Sequence, residues 1–203
     1  MKNLVIIILA IFLSSCSKKE KHVGIQVLGT FNKTSIEAIK SSIYDIYGFK
    51  VSVLKPQHLP EYAFVNIKSP RYRADKIIYQ LQENRDDSID IVLGLMEKDI
   101  STTKHDSNGD ILKPESKYKD WGVFGLGYRP GHSCIVSTYR LRRSNKNQFI
   151  NRLQKISIHE IGHNLGLKHC PNEQCVMRDA AESIKTIDNV HLGLCPDCKN
   201  KIE

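Results

Sequence analysis

No run of apolar residues in this sequence is long enough to make a comfortable membrane-spanning helix. The longest, Leu4 to Leu13, has ten residues, against the roughly 20 that a bilayer core requires. A multi-pass membrane protein is therefore excluded. There is no G-X-Y period, no sustained heptad and no self-similar unit, which excludes a collagen, a coiled coil and a repeat array. A concentrated block of like charge is also missing. Lys and Arg outnumber Asp and Glu by 30 to 22, but they are scattered, with Arg140-Arg142-Arg143 as a tight group. Such scatter reads as a solvated face, so no nucleic-acid partner is expected. What remains is ordinary for a globular protein: 40% hydrophobic and 26% charged residues in a chain of 203. That length is about one domain, enough to bury most of its apolar surface in a single core.

The apolar run follows Lys2 and leads into Leu13-Ser14-Ser15-Cys16. A positive start, a short apolar stretch and small residues form the layout of a secretory signal peptide. The ending resembles the lipobox of bacterial lipoproteins. That resemblance implies cleavage before Cys16 and a diacylglycerol on its thiol; a plain signal peptide or a short anchor helix are the other readings. The expected organisation is a signal peptide over residues 1–15, a lipidated tether over 16–22 and one folded domain over 23–203. The expected location is the bacterial cell envelope, periplasmic or on the outer membrane, with a membrane contact through Cys16. Loss of Lys2 would leave 29 basic against 22 acidic residues. If Cys16 carries lipid, five cysteines remain, and an odd number argues against a complete disulfide set.

Within 23–203 the pattern alternates. Gly24 to Leu28 is a candidate strand. Asn32 to Ser35 offers helix caps before Ile36, Ile39, Ile43 and Ile46 at helical spacing, with Gly48 as a stop. Phe49, Val51 and Val53 alternate with polar residues, as in a half-buried strand. Ala74 to Leu81 reads as a helix and Ile89 to Leu95 as a central strand. Ile100 to Lys119 reads as one long polar loop. Two further strands are expected at Val123 to Leu126 and Ser133 to Ser137, joined by a turn at Arg129-Pro130-Gly131. From Asn145 an apolar stripe from Phe149 to Leu165 predicts a long helix that stops at Gly166. A short helix is expected around 180–187. The fold class is α/β (α+β): a single domain with a mixed, twisted sheet of about five strands, expected to be a monomer.

Residues 159–169 read His-Glu-Ile-Gly-His-Asn-Leu-Gly-Leu-Lys-His. His159 and His163, four apart on a helix, lie on one face and can grip one zinc ion. Glu160 leaves the helix in another direction. It suits a proton acceptor for zinc-bound water better than a third ligand. Gly166 allows a sharp reversal that brings His169 to the metal. Three histidines leave one position open, the mark of a catalytic site. Cys170, Cys175, Cys195 and Cys198 follow in two close pairs. They fit a closed tetrahedral zinc site, two disulfides or, at Cys195-x-x-Cys198, a redox pair. The redox reading lacks a preceding βαβ unit. Cys134 begins an apolar strand and reads as a buried free thiol.

The extended histidine motif is that of the metzincin clan. The run from His169 through Cys170, Cys175, Met177, Cys195 and Cys198 resembles the archaemetzincin family of zinc metallopeptidases throughout its spacing. Ile91 to Leu95, Val123 to Leu126 and Ser137 to Leu141 are similar to strand segments of that family. The resemblance implies two zinc ions. His159, His163 and His169 would bind the catalytic one, with Glu160 as general base. Cys170, Cys175, Cys195 and Cys198 would bind a structural one. Met177 would form the methionine turn beneath the catalytic metal, although core packing alone would also suit its flexible side chain. A peptide substrate would lie antiparallel along an edge at 122–127, with Val123, Phe124, Gly125 and Leu126 as contacts. The expected activity is peptide-bond hydrolysis. The rival is a zinc- or peptide-binding surface lipoprotein without turnover, which has no need of an acid at position 160.

Overall fold

A computed structural model describes residues 20–141, 145–180 and 183–202. The expected signal peptide and Cys16 lie outside these residues, as do Arg142 and Arg143. Among the described residues no helix is long and apolar enough to cross a membrane.

A five-stranded sheet forms the centre, in the order β2-β1-β5-β9-β8. Its strands are β1 (His22–Leu28), β2 (Lys50–Val53), β5 (Ile91–Met96), β8 (Gly125–Gly127) and β9 (Ser133–Ser137). The first four in that order are parallel, and β8 alone runs antiparallel, at the edge. Strand alternation divides the core. Val23, Ile25, Val27, Leu93, Leu95, Cys134 and Val136 face α1 (Lys33–Tyr47) and α4 (Lys146–Asn164). Leu28, Val92, Met96 and Ile135 face α2 (Ala74–Glu83). All six residues of β5 are buried. Each such aliphatic side chain contributes about 1.5–3 kcal/mol through lost water contact. Gly94 lets α2 approach: a Cβ there would lie 2.6 Å from Ile135 Cδ1 and 2.8 Å from Leu81 Cδ1.

Helices α1 and α4 begin at polar residues that cap them. Asn32 accepts from Ser35 N to cap α1, and Asn145 accepts from Gln148 N to cap α4. Gly48 closes α1 in the left-handed conformation, at φ 67°. The expected helix near 180–187 forms as α5 (Ile184–Asn189), and α6 (Pro196–Asn200) follows it. The buried Arg152 of α4 donates from Nε to Asp188 at 2.6 Å, and Lys155 donates to the carbonyls of Ile187 and Asp188. These bonds fasten the C-terminal segment to α4.

A second, four-stranded sheet was not foreseen. Its order is β3-β4-β6-β7, from β3 (Phe64–Asn66), β4 (Pro70–Arg73), β6 (Ile100–Thr102) and β7 (Trp121–Val123). The supposed loop 100–119 therefore contains β6 and a short helix, α3 (Glu115–Tyr118). The strand expected at Val123 to Leu126 is divided at Phe124. Val123 ends β7 in the second sheet, while Gly125 and Leu126 belong to β8 in the first. A buried ion network joins the sheets. Asp99 accepts from Arg71 Nε at 2.9 Å and from Arg140 Nε at 2.7 Å, and Arg71 also reaches Asp120. The Arg140 guanidinium occupies the space that a side chain at Gly122 would need.

Candidate metal centre and active site

The last turns of α4 carry His159, Glu160 and His163. The Tyr47 hydroxyl donates to the Ile158 carbonyl at 2.7 Å and steadies this part of the helix against α1. After Asn164 the chain turns sharply: Gly166 N donates to His163 O at 2.8 Å, with Gly166 at φ 92°. His169 thereby returns to the two helical histidines. The ring centroids are 4.6 Å apart for His159–His163, 5.0 Å for His163–His169 and 5.4 Å for His159–His169. One ligand atom from each ring lies within 4.8 Å of the others.

The outer nitrogens of all three rings are engaged. His159 Nδ1 lies 2.8 Å from the Val176 carbonyl, His163 Nδ1 lies 2.7 Å from the Leu167 carbonyl, and His169 Nδ1 lies 3.4 Å from an Asp179 carboxylate oxygen. Donation from Nδ1 leaves Nε2 of each ring as a bare lone pair, the form that a metal needs. Burial pushes His159 down to about 3, helped by the neighbouring His163, and burial also lowers His163. Both are therefore neutral ligands at ordinary pH. Val176, Leu167 and Asp179 escaped the sequence analysis. A backbone carbonyl leaves no signal in a sequence, and Asp179 is one unremarkable acid two residues beyond Met177.

Glu160 is 6% exposed. Its carboxylate rests against β8, where a Cβ on Gly125 would lie 2.6 Å from Glu160 Oε1, and one on Gly127 would lie 3.0 Å from its backbone oxygen. Burial pushes the Glu160 carboxyl up to about 8. The edge strand, the acid and the three histidines thus form one neighbourhood. Met177 is fully buried with its sulfur against Gly162, and its carbonyl accepts from Cys170 N at 2.8 Å.

Cys170, Cys175, Cys195 and Cys198 form a second cluster, with their sulfurs within 4.8 Å of one another. Cys170 Sγ and Cys195 Sγ are 3.7 Å apart, and all four thiols are free. That spacing is far from a disulfide and close to the roughly 3.8 Å edge of a tetrahedron of thiolates around zinc. Cys134 is buried in β9 and belongs to neither cluster; burial and then the charge of Glu160 raise its pKa. A groove of about 720 Å³ lined by Leu28, Leu54, Leu59, Tyr62 and Leu81 lies on the α2 side of the central sheet. It holds none of these ligands, so the donor set marks the site.

The model of peptidase family M54 matches residues 23–203. The archaemetzincin of Halobacterium salinarum is 32% identical over 171 residues, which cover 80% of this chain and 88% of that protein. The archaemetzincin of Haloarcula marismortui is 28% identical over 190 residues, covering 89% and 99%. The crystal structure of the Archaeoglobus fulgidus archaemetzincin complexed with malonate is similar at a TM-score of 0.71 and 27% identity, covering 89% of this chain and 99% of that one. The Methanopyrus kandleri archaemetzincin structure shares the fold at a TM-score of 0.72 and 23% identity, covering 90% and 93%. The family match spans the folded chain and both ligand clusters: the chain belongs to peptidase family M54, the archaemetzincins, and is a zinc metallopeptidase.

Proposed function

We propose that the protein hydrolyses peptide bonds in the cleft between β8 and α4, with His159, His163 and His169 as ligands of the catalytic zinc and Glu160 as general base. The observation that carries this reading is the place of Glu160: a buried acid between the metal-binding face of α4 and an open sheet edge. The donor set suits the metal, because three imidazoles with their Nδ1 atoms engaged lie together and leave their Nε2 atoms to a metal. Bound there, zinc would polarise the scissile carbonyl and bring the pKa of a bound water towards neutrality.

Among the described residues strand β8 pairs only with β9, which leaves its other side to accept an extended peptide. In an antiparallel pairing, the substrate residues before the cut lie beside the C-terminal end of β8, and those after it lie towards Val123 and Phe124. Glu160 takes the proton of the attacking water and holds it for the departing amine. Burial raises the proton affinity of this carboxyl and so favours its holding the proton until the amine departs, while the charge of a bound zinc would favour the ionised form that accepts it.

The four cysteines are proposed to hold a second, structural zinc. The segment they close carries the short helices α5 and α6, and a bound metal would add to its folding energy. Export and lipid attachment at Cys16 complete the reading. The decisive experiment incubates the zinc-loaded soluble fragment with a proteome-derived peptide pool and identifies new termini by mass spectrometry, beside Glu160→Ala protein of equal zinc content. Cuts by the unmutated protein alone establish the peptidase and its base. Binding without cuts by either protein would favour the non-catalytic lipoprotein.

A further inference from the structure

The chain that leaves the edge strand is fixed as firmly as the strand itself. Tyr128 N donates to Ser133 O at 3.2 Å and closes the turn between β8 and β9. Asn164, 5% exposed and next in sequence to His163, holds this turn from below. Its Nδ2 donates to Tyr128 O at 3.0 Å and to Ser133 O at 2.8 Å, and its backbone carbonyl accepts from Gly131 N at 3.1 Å. Three bonds from one residue therefore fasten the 128–132 turn to the end of the metal-binding helix. Arg129 stands on this turn, exposed to solvent. Among the described residues no carboxylate forms an ion pair with it.

From this geometry we infer that Arg129 is a specificity residue that selects peptides carrying aspartate or glutamate on the amino-terminal side of the scissile bond. The inference rests on the antiparallel substrate pairing proposed above. That pairing carries the residues before the cut past Gly127 and onto the turn, within reach of a long side chain. A guanidinium offers two parallel N–H donors that match a carboxylate, and unlike lysine it keeps this planar fork in a fixed shape. The turn beneath it is held close to His163, because Asn164, the next residue in the chain, binds it by three hydrogen bonds. A basic side chain with no carboxylate partner among the described residues, placed beside a cleft on a fixed turn, presents its charge to whatever enters.

The test compares the unmutated protein with Arg129→Gln, Arg129→Lys and Arg129→Glu, each checked for zinc content. Two quenched-fluorescent decapeptide pools serve as probes, one with glutamate and one with glutamine at the three positions before a randomised centre. For the unmutated protein, the ratio of kcat/KM between the glutamate and glutamine pools should be about five to ten, the worth of one charge-assisted hydrogen bond at a partly exposed site. It should fall to about one in Arg129→Gln, keep part of its value in Arg129→Lys, and drop below one in Arg129→Glu. Cleavage with the same ratio in all four proteins overturns the inference and leaves the peptidase reading intact. If no protein cleaves either pool, fluorescein-labelled versions are titrated by anisotropy. Tighter glutamate-pool binding that depends on Arg129 sustains the inference without hydrolysis, and equal binding of the two pools overturns it.

Discussion

The imidazole of His159 meets the carbonyl of Val176 at 2.8 Å, and Val176 is the residue between Cys175 and Met177. A ligand of one cluster is thus oriented by the immediate neighbour of a ligand of the other. His169 and Cys170, adjacent in the chain, make a second such link, and the bond from Cys170 N to Met177 O closes a small loop between them. Loading of the cysteine site should therefore set the aim of the histidine site.

Cys195→Ser removes one thiolate and leaves every histidine in place. Zinc affinity at the histidine site should fall about 10- to 100-fold, the usual effect of disturbing the partners of metal ligands. Cobalt substitution separates the two sites, since the thiolate charge-transfer bands belong to the cysteine cluster alone. Unchanged histidine-site affinity in a competition titration would show that the clusters are independent.

Gly125→Ala tests the packing of the acid. The added methyl would lie 2.6 Å from Glu160 Oε1 and 2.8 Å from its Cγ, so the whole side chain must move. Peptide hydrolysis should fall at least about tenfold, with stability lowered by about 1–3 kcal/mol. Zinc content should not change, because no ligand is touched. Full activity in this variant would mean that the carboxylate need not stand against β8.

The raised pKa of Glu160 has a stability consequence in protein stripped of metal. An acid with a higher pKa folded than unfolded holds its proton longer in the native state. Stability then falls as pH climbs from the ordinary value of 4.5 to about 8, and stays reduced above it. Glu160→Gln lacks this penalty. At pH 8 its unfolding free energy should exceed that of the unmutated metal-free protein by a margin on the order of a few kcal/mol, read as a higher melting temperature. The margin should vanish below pH 4.5. Parallel curves across this range would refute the burial cost.

The proposed anchor is tested by Cys16→Ser. The unmutated chain, expressed in a bacterium, should fractionate with membranes and incorporate labelled palmitate; the variant should do neither. Equal fractionation of both would return residues 1–15 to a plain signal peptide or an anchor helix.

Much of this architecture was legible because it repeats simple rules. Ile36, Ile39 and Ile43 announce α1 by their spacing, and Asn32 and Gly48 mark its ends. The histidine cluster was legible because the 159–169 run lies within a few turns of one helix and the reversal after it. The second sheet was not, because Pro-Arg-Tyr-Arg in β4 and Ile-Ser-Thr in β6 show no alternation long enough to read. Their strands are held by Asp99, Arg71 and Arg140, whose pairing joins positions 28 and 41 residues apart. Phe124 was misplaced inside a strand for a related reason: one local pattern, Val-Phe-Gly-Leu, serves two different sheets. Asn164 went unremarked because its value lies in two carbonyls more than 30 residues away.

Strand β8 has only three residues, after which the chain turns away at Tyr128. A guest strand could be gripped over about 10 Å at most. So short a ladder offers little to offset the unravelling of a helix or a closed loop. Segments already extended and free of tertiary contacts enter without that cost. The cleft would therefore sort chains by whether they are folded before it reads their sequence, sparing native proteins and taking frayed ends, linkers and degradation fragments.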